Sequence, residues 1–126
     1  MKRSVAAILA LVLAANGVAM LLAGPWWYGA VPGVTQTGPY NPHFVKDIGA
    51  AYLVAAAGLA WSAVEPGAAC GWVRAAAVFL ALHAMIHLSD AVAAPHPMTD
   101  IGRDFAGVIL PALLAAWIAW PASKAI

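Results

Sequence analysis

The sequence predicts an all-α integral membrane four-helix bundle, formed as a single transmembrane domain over residues 1–126. Hydrophobic residues make up 64% of the chain and charged residues only 9%, whereas soluble proteins carry about 25% charged residues. A membrane-spanning helix needs about 20 mostly apolar residues. Four such stretches, separated by Gly, Pro and charge, occupy nearly the whole chain, so little sequence remains for a soluble domain.

The first span is predicted over residues 4–23 and ends at Gly24-Pro25, because proline cannot continue a helical hydrogen-bond ladder. Two basic residues followed by an apolar run are also typical of a secretory signal peptide. The run here is longer than the apolar region of such a signal, and the Gly-Pro-Trp-Trp context at its end is poor for cleavage. We therefore expect this segment to be retained as a span.

The second span is predicted to start at Asn41-Pro42, after a connector rich in Gly and Pro. Asn can cap the free amides of a helix, and Pro suits the first helical position. Asp104 is expected to cap the fourth span, which ends near Pro121. The predicted ranges of the second, third and fourth spans are 42–64, 71–94 and 105–120.

The basic residues predict that the N-terminus and the C-terminus are both cytoplasmic. Basic residues favour the cytoplasmic side of short loops, and this orientation places four of them inside and two outside. Those inside are Lys2, Arg3, Arg74 and Lys124, and those outside are Lys46 and Arg103. Aromatic residues, which concentrate at membrane interfaces, also fall at the ends of the spans.

Composition excludes several other classes of function. The net charge is +1 and no basic run is present, which makes nucleic acid an unsuitable partner. Cys70 is the only cysteine, so the chain holds no intramolecular disulfide and no Cys-x-x-Cys motif. The lipid bilayer is the partner that the composition predicts.

Two histidines and an aspartate share one face of the third predicted span. His87 follows His83 by four residues and Asp90 follows by three more, a spacing that places all three within one helical face. A charged residue at the centre of a span costs on the order of 2.5–3.5 kcal/mol, so such residues usually face the bundle or a wet cavity. We therefore expect this face to meet polar partners.

The second span offers those partners in His43 and Asp47, which are also four residues apart near the same membrane surface. Small residues continue down the face of Asp47, which predicts that this carboxylate points at a neighbouring helix. The complete predicted cluster contains three imidazoles and two carboxylates. Its members are His43, Asp47, His83, His87 and Asp90.

This set of side chains suits a transition metal such as Zn, Fe, Mn or Cu. Haem fits less well, because two histidines on one helix cannot take opposite axial positions. Simpler interpretations remain open. His43 and Asp47 can form a local ion pair or compensate the helix dipole, and His83 and His87 can hold helices together by bonding to backbone, Asn16 or Asp90. A proton relay is a further alternative.

Two motifs carry a resemblance to known proteins. Asn-Pro-His-Phe-x-x-Asp-x-Gly begins at Asn41, and His-x-x-x-His-x-x-Asp begins at His83. The chain resembles a group of small bacterial four-span membrane proteins that are distantly similar to the DoxX-like proteins. The resemblance implies the four-span fold, a place in the bacterial inner membrane and a weak association with redox subunits, but no catalytic residue.

The sequence thus predicts an accessory protein or subunit with a His/Asp polar cluster at the outer membrane face. Its expected partners are other membrane subunits or a second copy of the chain. The alternative is a metal- or haem-binding membrane redox protein that uses the same cluster. The sequence does not decide whether the chain is an enzyme.

Overall fold

A computed structural model describes residues 1–120, and this part of the chain is 84% helical without a strand, which confirms the all-α prediction. The α-helices of this described part are α1 (Lys2–Leu22), α2 (Gly24–Ala30), α3 (Pro42–Val64), α4 (Cys70–Ala93), α5 (Pro97–Asp104) and α6 (Leu110–Ala119). A 3₁₀ turn (Val34–Gln36) lies between α2 and α3, and a π-helix (Phe105–Ile109) joins α5 to α6.

Within residues 1–120, four helical segments are long and apolar enough to cross a membrane: α1, α3, α4 and the continuous run Pro97–Ala119. Less than two fifths of each segment is buried inside the bundle, and the outward side chains include Leu22, Val64 and Val92. An apolar outer surface of this extent is typical of contact with lipid and unusual in a soluble monomer. The fold therefore indicates a multi-pass membrane protein.

The long helices alternate in direction around the bundle. α1 packs on α3, α3 on α4 and α4 on α6, while α1 and α6 touch more lightly. The Lys2 ammonium donates to the Trp120 carbonyl at 2.6 Å and lies 5.3 Å from the Trp117 ring. The start of α1 and the end of α6 therefore share one end of the bundle, together with the α3–α4 turn, where Trp61 lies 6.2 Å from Trp72.

Glycines set the closest helix contacts. A Cβ on Gly17 would lie 2.7 Å from the carbonyl oxygen of Gly49, so α1 and α3 cross nearly backbone to backbone. A Cβ on Gly58 would lie 3.0 Å from the carbonyl oxygen of Trp72, which fixes the approach of α3 to α4. Small residues let helices approach in this way. Leu59 and Leu80 fill the centre of the bundle as fully buried side chains.

The first three long helices lie close to their predicted ranges. Asn41 caps α3 as expected, since its side-chain oxygen accepts from the amides of His43 and Phe44 at 3.1 Å each. Residues 24–30 form a short helix where a connector was expected. Pro25 stands in its first turn, a position where the missing N–H costs nothing.

The predicted start of the fourth span is wrong. The helix begins at Pro97, eight residues before the expected position, with Asp100 in its first turn, where a carboxylate favours the helix dipole. Asp104 makes no capping hydrogen bond and lies inside the continuous helical run. The expected end near Pro121, and Lys124 beyond it, fall outside the described residues.

The π-helix has a local cause in Pro111. Proline removes one helical N–H and clashes with the carbonyl four residues earlier. The chain widens into a π-turn ahead of it, in which the Leu110 amide bonds to the Phe105 carbonyl, five residues back. The widened turn directly follows Asp104 and so sets how the polar α5 segment meets the apolar α6.

Candidate functional site

A single carboxylate forms the centre of the polar network. The Asp104 side chain is only 8% exposed. Its Oδ1 accepts from Arg103 Nε at 2.8 Å, and its Oδ2 accepts from Arg103 Nη2 at 3.2 Å and lies 2.8 Å from His87 Nδ1. Because a guanidinium that contacts both oxygens fixes a carboxylate in orientation, Asp104 is positioned firmly against α4.

Arg103 extends the network to the connector between α2 and α3. Its Nη1 donates to Asp100 Oδ1 at 2.6 Å and to Gln36 Oε1 at 3.0 Å. Gly33 packs on the guanidinium so closely that a Cβ there would lie 2.5 Å from Arg103 Nε. The network therefore ties three segments together at one end of the bundle, namely α4, α5 and the connector. We call Gln36, His87, Asp100, Arg103 and Asp104 the polar clamp.

His83 lies one turn before His87 on α4, and the two ring centroids are 4.7 Å apart. Its ring stacks on Phe79, with 6.2 Å between centroids and 18° between planes, and meets the edge of Tyr52 at 5.7 Å. Within residues 1–120, no hydrogen bond involves His83, and no buried side-chain nitrogen or oxygen lacks a partner. The ring nitrogens of His83 are therefore not completely enclosed within the bundle.

The His43–Asp47 pair lies apart from the clamp. The two side chains are 89% and 62% exposed and approach each other at 3.4 Å, so the local ion pair that the sequence left open is the arrangement observed. The prediction that Asp47 points at a neighbouring helix is wrong. Gly49 and Tyr52 are buried and Ala50 and Val54 are exposed, so the packed face of α3 is rotated away from Asp47.

Of the five predicted cluster residues, the structure brings together His83 and His87. Asp90 is exposed at the end of α4 and makes no ion pair within the described chain. Across residues 1–120, no group of three or more His, Cys, Asp or Glu side chains is placed to hold one ion. The carboxylate that meets the histidines is Asp104 instead of Asp47 or Asp90.

The interhelical polar contact that the sequence left open for the histidines is present for His87, with a different acceptor. His87 bonds to Asp104 on α5, whereas Asn16 accepts from the Trp27 indole at 2.8 Å. Asn16 therefore joins α1 to the short helix α2 and is not the partner of the histidines.

Sequence reasoning missed the roles of Arg103, Asp104 and Gln36 because it treated residues 95–104 as a loop. A usable signal was present. Pro97 is a good first helical residue, and Asp100 and Arg103 have the three-residue spacing of a helical ion pair. Gln36 carries no local signal, because its contact with Arg103 spans 67 residues.

Replacing Gly33 with alanine is expected to loosen the connector. Gly33 has φ +85°, and alanine in the left-handed region costs about 1–2 kcal/mol, to which the contact with Arg103 adds. Cleavage of the connector by proteinase K in detergent should become faster. Gly38→Ala is the matched control, because Gly38 also has positive φ but faces open space. Equal cleavage rates in the two variants would contradict the contact with Arg103.

Comparisons of the chain with protein-family models, with curated proteins and with solved structures found no match.

Proposed function

We propose that this chain is a small accessory protein or subunit of the bacterial inner membrane, with both termini cytoplasmic and the polar clamp at the outer face. The proposal rests on the hydrogen bonds that the clamp makes to Asp104 within this chain. Both oxygens of the buried Asp104 are engaged by Arg103 and His87 of the same chain. Groups that are used in this way stabilise the shape of a surface.

The charge distribution supports this orientation. Lys2 and Arg3 line one small pocket, of about 90 Å³, together with Ser62 at the end of α3. The clamp occupies the opposite end, where its two carboxylates and one guanidinium leave one net negative charge. Basic residues favour the cytoplasmic side, so the Lys2 end is the inner end in our proposal.

The larger groove of the structure supports a non-catalytic role. It lies between α3 and α4, encloses about 340 Å³ and is open at the surface. Its lining is made of alanine, valine, tryptophan and phenylalanine, without an acid, a base or a nucleophile. General acid–base or covalent catalysis requires such a group within reach of the substrate, so this groove is suited to lipid or helix contact.

The accessory role can be tested by native electrophoresis of membranes that carry the full-length chain with a C-terminal tag. We expect a band well above the 12.9 kDa of one chain, with a constant composition by mass spectrometry, either a second copy or one other membrane protein. Asp104→Asn should release the single chain, because the outer face loses its fixed shape. Asp47→Asn is the control and should leave the band in place. Migration of the native chain as a monomer would overturn the proposal.

The orientation is tested separately by cysteine labelling in intact spheroplasts. Thr35→Cys lies in the exposed connector and should react with a membrane-impermeant maleimide. The native Cys70, at the start of α4, should react only after permeabilisation and serves as the internal control. Labelling of Cys70 in intact spheroplasts would reverse the proposed orientation.

A further inference from the structure

We propose that His83 and His87 form a binding site for a divalent transition metal ion of the zinc or copper class, in which Asp104 orients one ligand without touching the ion. This inference goes beyond the accessory role. It also differs from the five-residue cluster predicted from the sequence, because His43, Asp47 and Asp90 take no part in it.

His87 uses one ring nitrogen, Nδ1, in the clamp and keeps the other, Nε2, outside it. A carboxylate paired with a guanidinium can only accept hydrogen bonds, so the imidazole donates from Nδ1 to Asp104. In the neutral ring, Nε2 then carries the lone pair that a metal requires. A metal-binding histidine typically donates its other ring nitrogen to a carboxylate, which fixes the tautomer and raises its basicity. The Asp104–His87 contact at 2.8 Å has this arrangement.

The distance between the His83 and His87 rings also supports a shared ion. Histidines four residues apart on a helix can bind one zinc ion, as in metalloprotease helices. With metal–nitrogen bonds of about 2.0–2.1 Å, two imidazoles on one ion have centroids roughly 5 Å apart. His83 and His87 have centroids 4.7 Å apart, so the separation of their rings already fits two imidazoles on one ion.

The surroundings of the two histidines hold the His83 ring in place and carry a net negative charge. His83 is held between the Phe79 face and the Tyr52 edge and has no hydrogen-bond partner within the described residues, so its nitrogens are not committed elsewhere. The clamp behind His87 carries one net negative charge from Asp100, Arg103 and Asp104, which favours a cation.

Imidazole ligands suit zinc and copper, and water completes the coordination because the proposed site uses two protein ligands, His83 and His87. The clamp and the metal site are compatible, since the clamp uses Nδ1 of His87 and the metal uses Nε2.

The test is titration of the full-length protein in detergent with Zn²⁺ alone by calorimetry, followed by Cu²⁺ with electron paramagnetic resonance. We expect one ion per chain and nitrogen hyperfine splitting from two imidazoles. His83→Ala should abolish the site while leaving the bundle folded, because His83 makes no hydrogen bond in the described chain and its loss removes only its packing on Phe79 and Tyr52. Asp104→Asn should weaken Zn²⁺ binding by roughly 10–100-fold, the usual effect of removing an orienting carboxylate.

His43→Ala is the matched control, since this exposed histidine should leave both titrations unchanged. Binding that survives His83→Ala and His87→Ala, or that His43→Ala removes, would overturn the metal site. Absence of binding in the native protein at micromolar Zn²⁺ and Cu²⁺ would overturn it as well. None of these results depends on the native electrophoresis band that tests the accessory role.

Discussion

Replacing Asp104 with alanine is expected to lower the free energy of unfolding by roughly 3 kcal/mol, because removal of one partner from a buried ion pair costs about 3–5 kcal/mol. Arg103 and His87 lose their shared acceptor. The lower end of the range applies, since Arg103 retains Asp100 and is itself partly exposed. Unfolding by SDS in mixed micelles, followed by circular dichroism, measures the change.

Two further variants show whether the effect belongs to the clamp. Asp104→Asn keeps an acceptor but removes the charge, so it should fall between the native protein and alanine. Asp47→Ala removes a carboxylate whose only ion-pair partner within residues 1–120 is the exposed His43. Exposed pairs contribute little, so its cost should be below about 1 kcal/mol. A similar loss in Asp47→Ala and Asp104→Ala would show that Asp104 has no special role.

The helices were predictable because their signals are local. Asn41-Pro42 marks the start of α3 through capping chemistry that acts within four residues, and apolar runs of sufficient length identify the spans. The start at Pro97 was missed because the polar α5 segment lacks the apolar signal of a span. The π-turn ahead of Pro111 shifts the helical register. Sequence patterns assume the regular period of an α-helix, so they do not predict this shift.

The site was predictable only in part, because partners across helices depend on rotation about the helix axis. The spacing of His83 and His87 correctly placed them on one face, since both lie on one regular helix. Identifying the partner carboxylate required knowing which faces of α3 and α5 turn towards α4. The sequence predicted Asp47 for this role and assigned Asp104 to a helix cap, but the Gly17–Gly49 crossing orients α3 so that Asp47 points outward.

Replacing Gly17 with alanine is expected to lower the free energy of unfolding by about 1–3 kcal/mol, the usual cost of adding volume to a well-packed contact. The new methyl group would lie 2.7 Å from the carbonyl oxygen of Gly49 and 3.0 Å from Leu53 Cγ. The backbone oxygen cannot rotate away, so α1 and α3 must separate. The same SDS titration measures the loss.

Gly102→Ala is the control, because Gly102 lies in helix α5 and a Cβ there meets no atom within 4 Å. Alanine is a better helix former than glycine by about 1 kcal/mol, so this variant should be neutral or more stable. A loss equal to that of Gly17→Ala would contradict the assignment of the Gly17→Ala loss to packing against α3. Close packing holds apolar helices together in lipid, where no hydrophobic force drives them to associate. Gly17→Ala and Gly49→Ala force the same separation, so together they should cost less than the sum of the single changes.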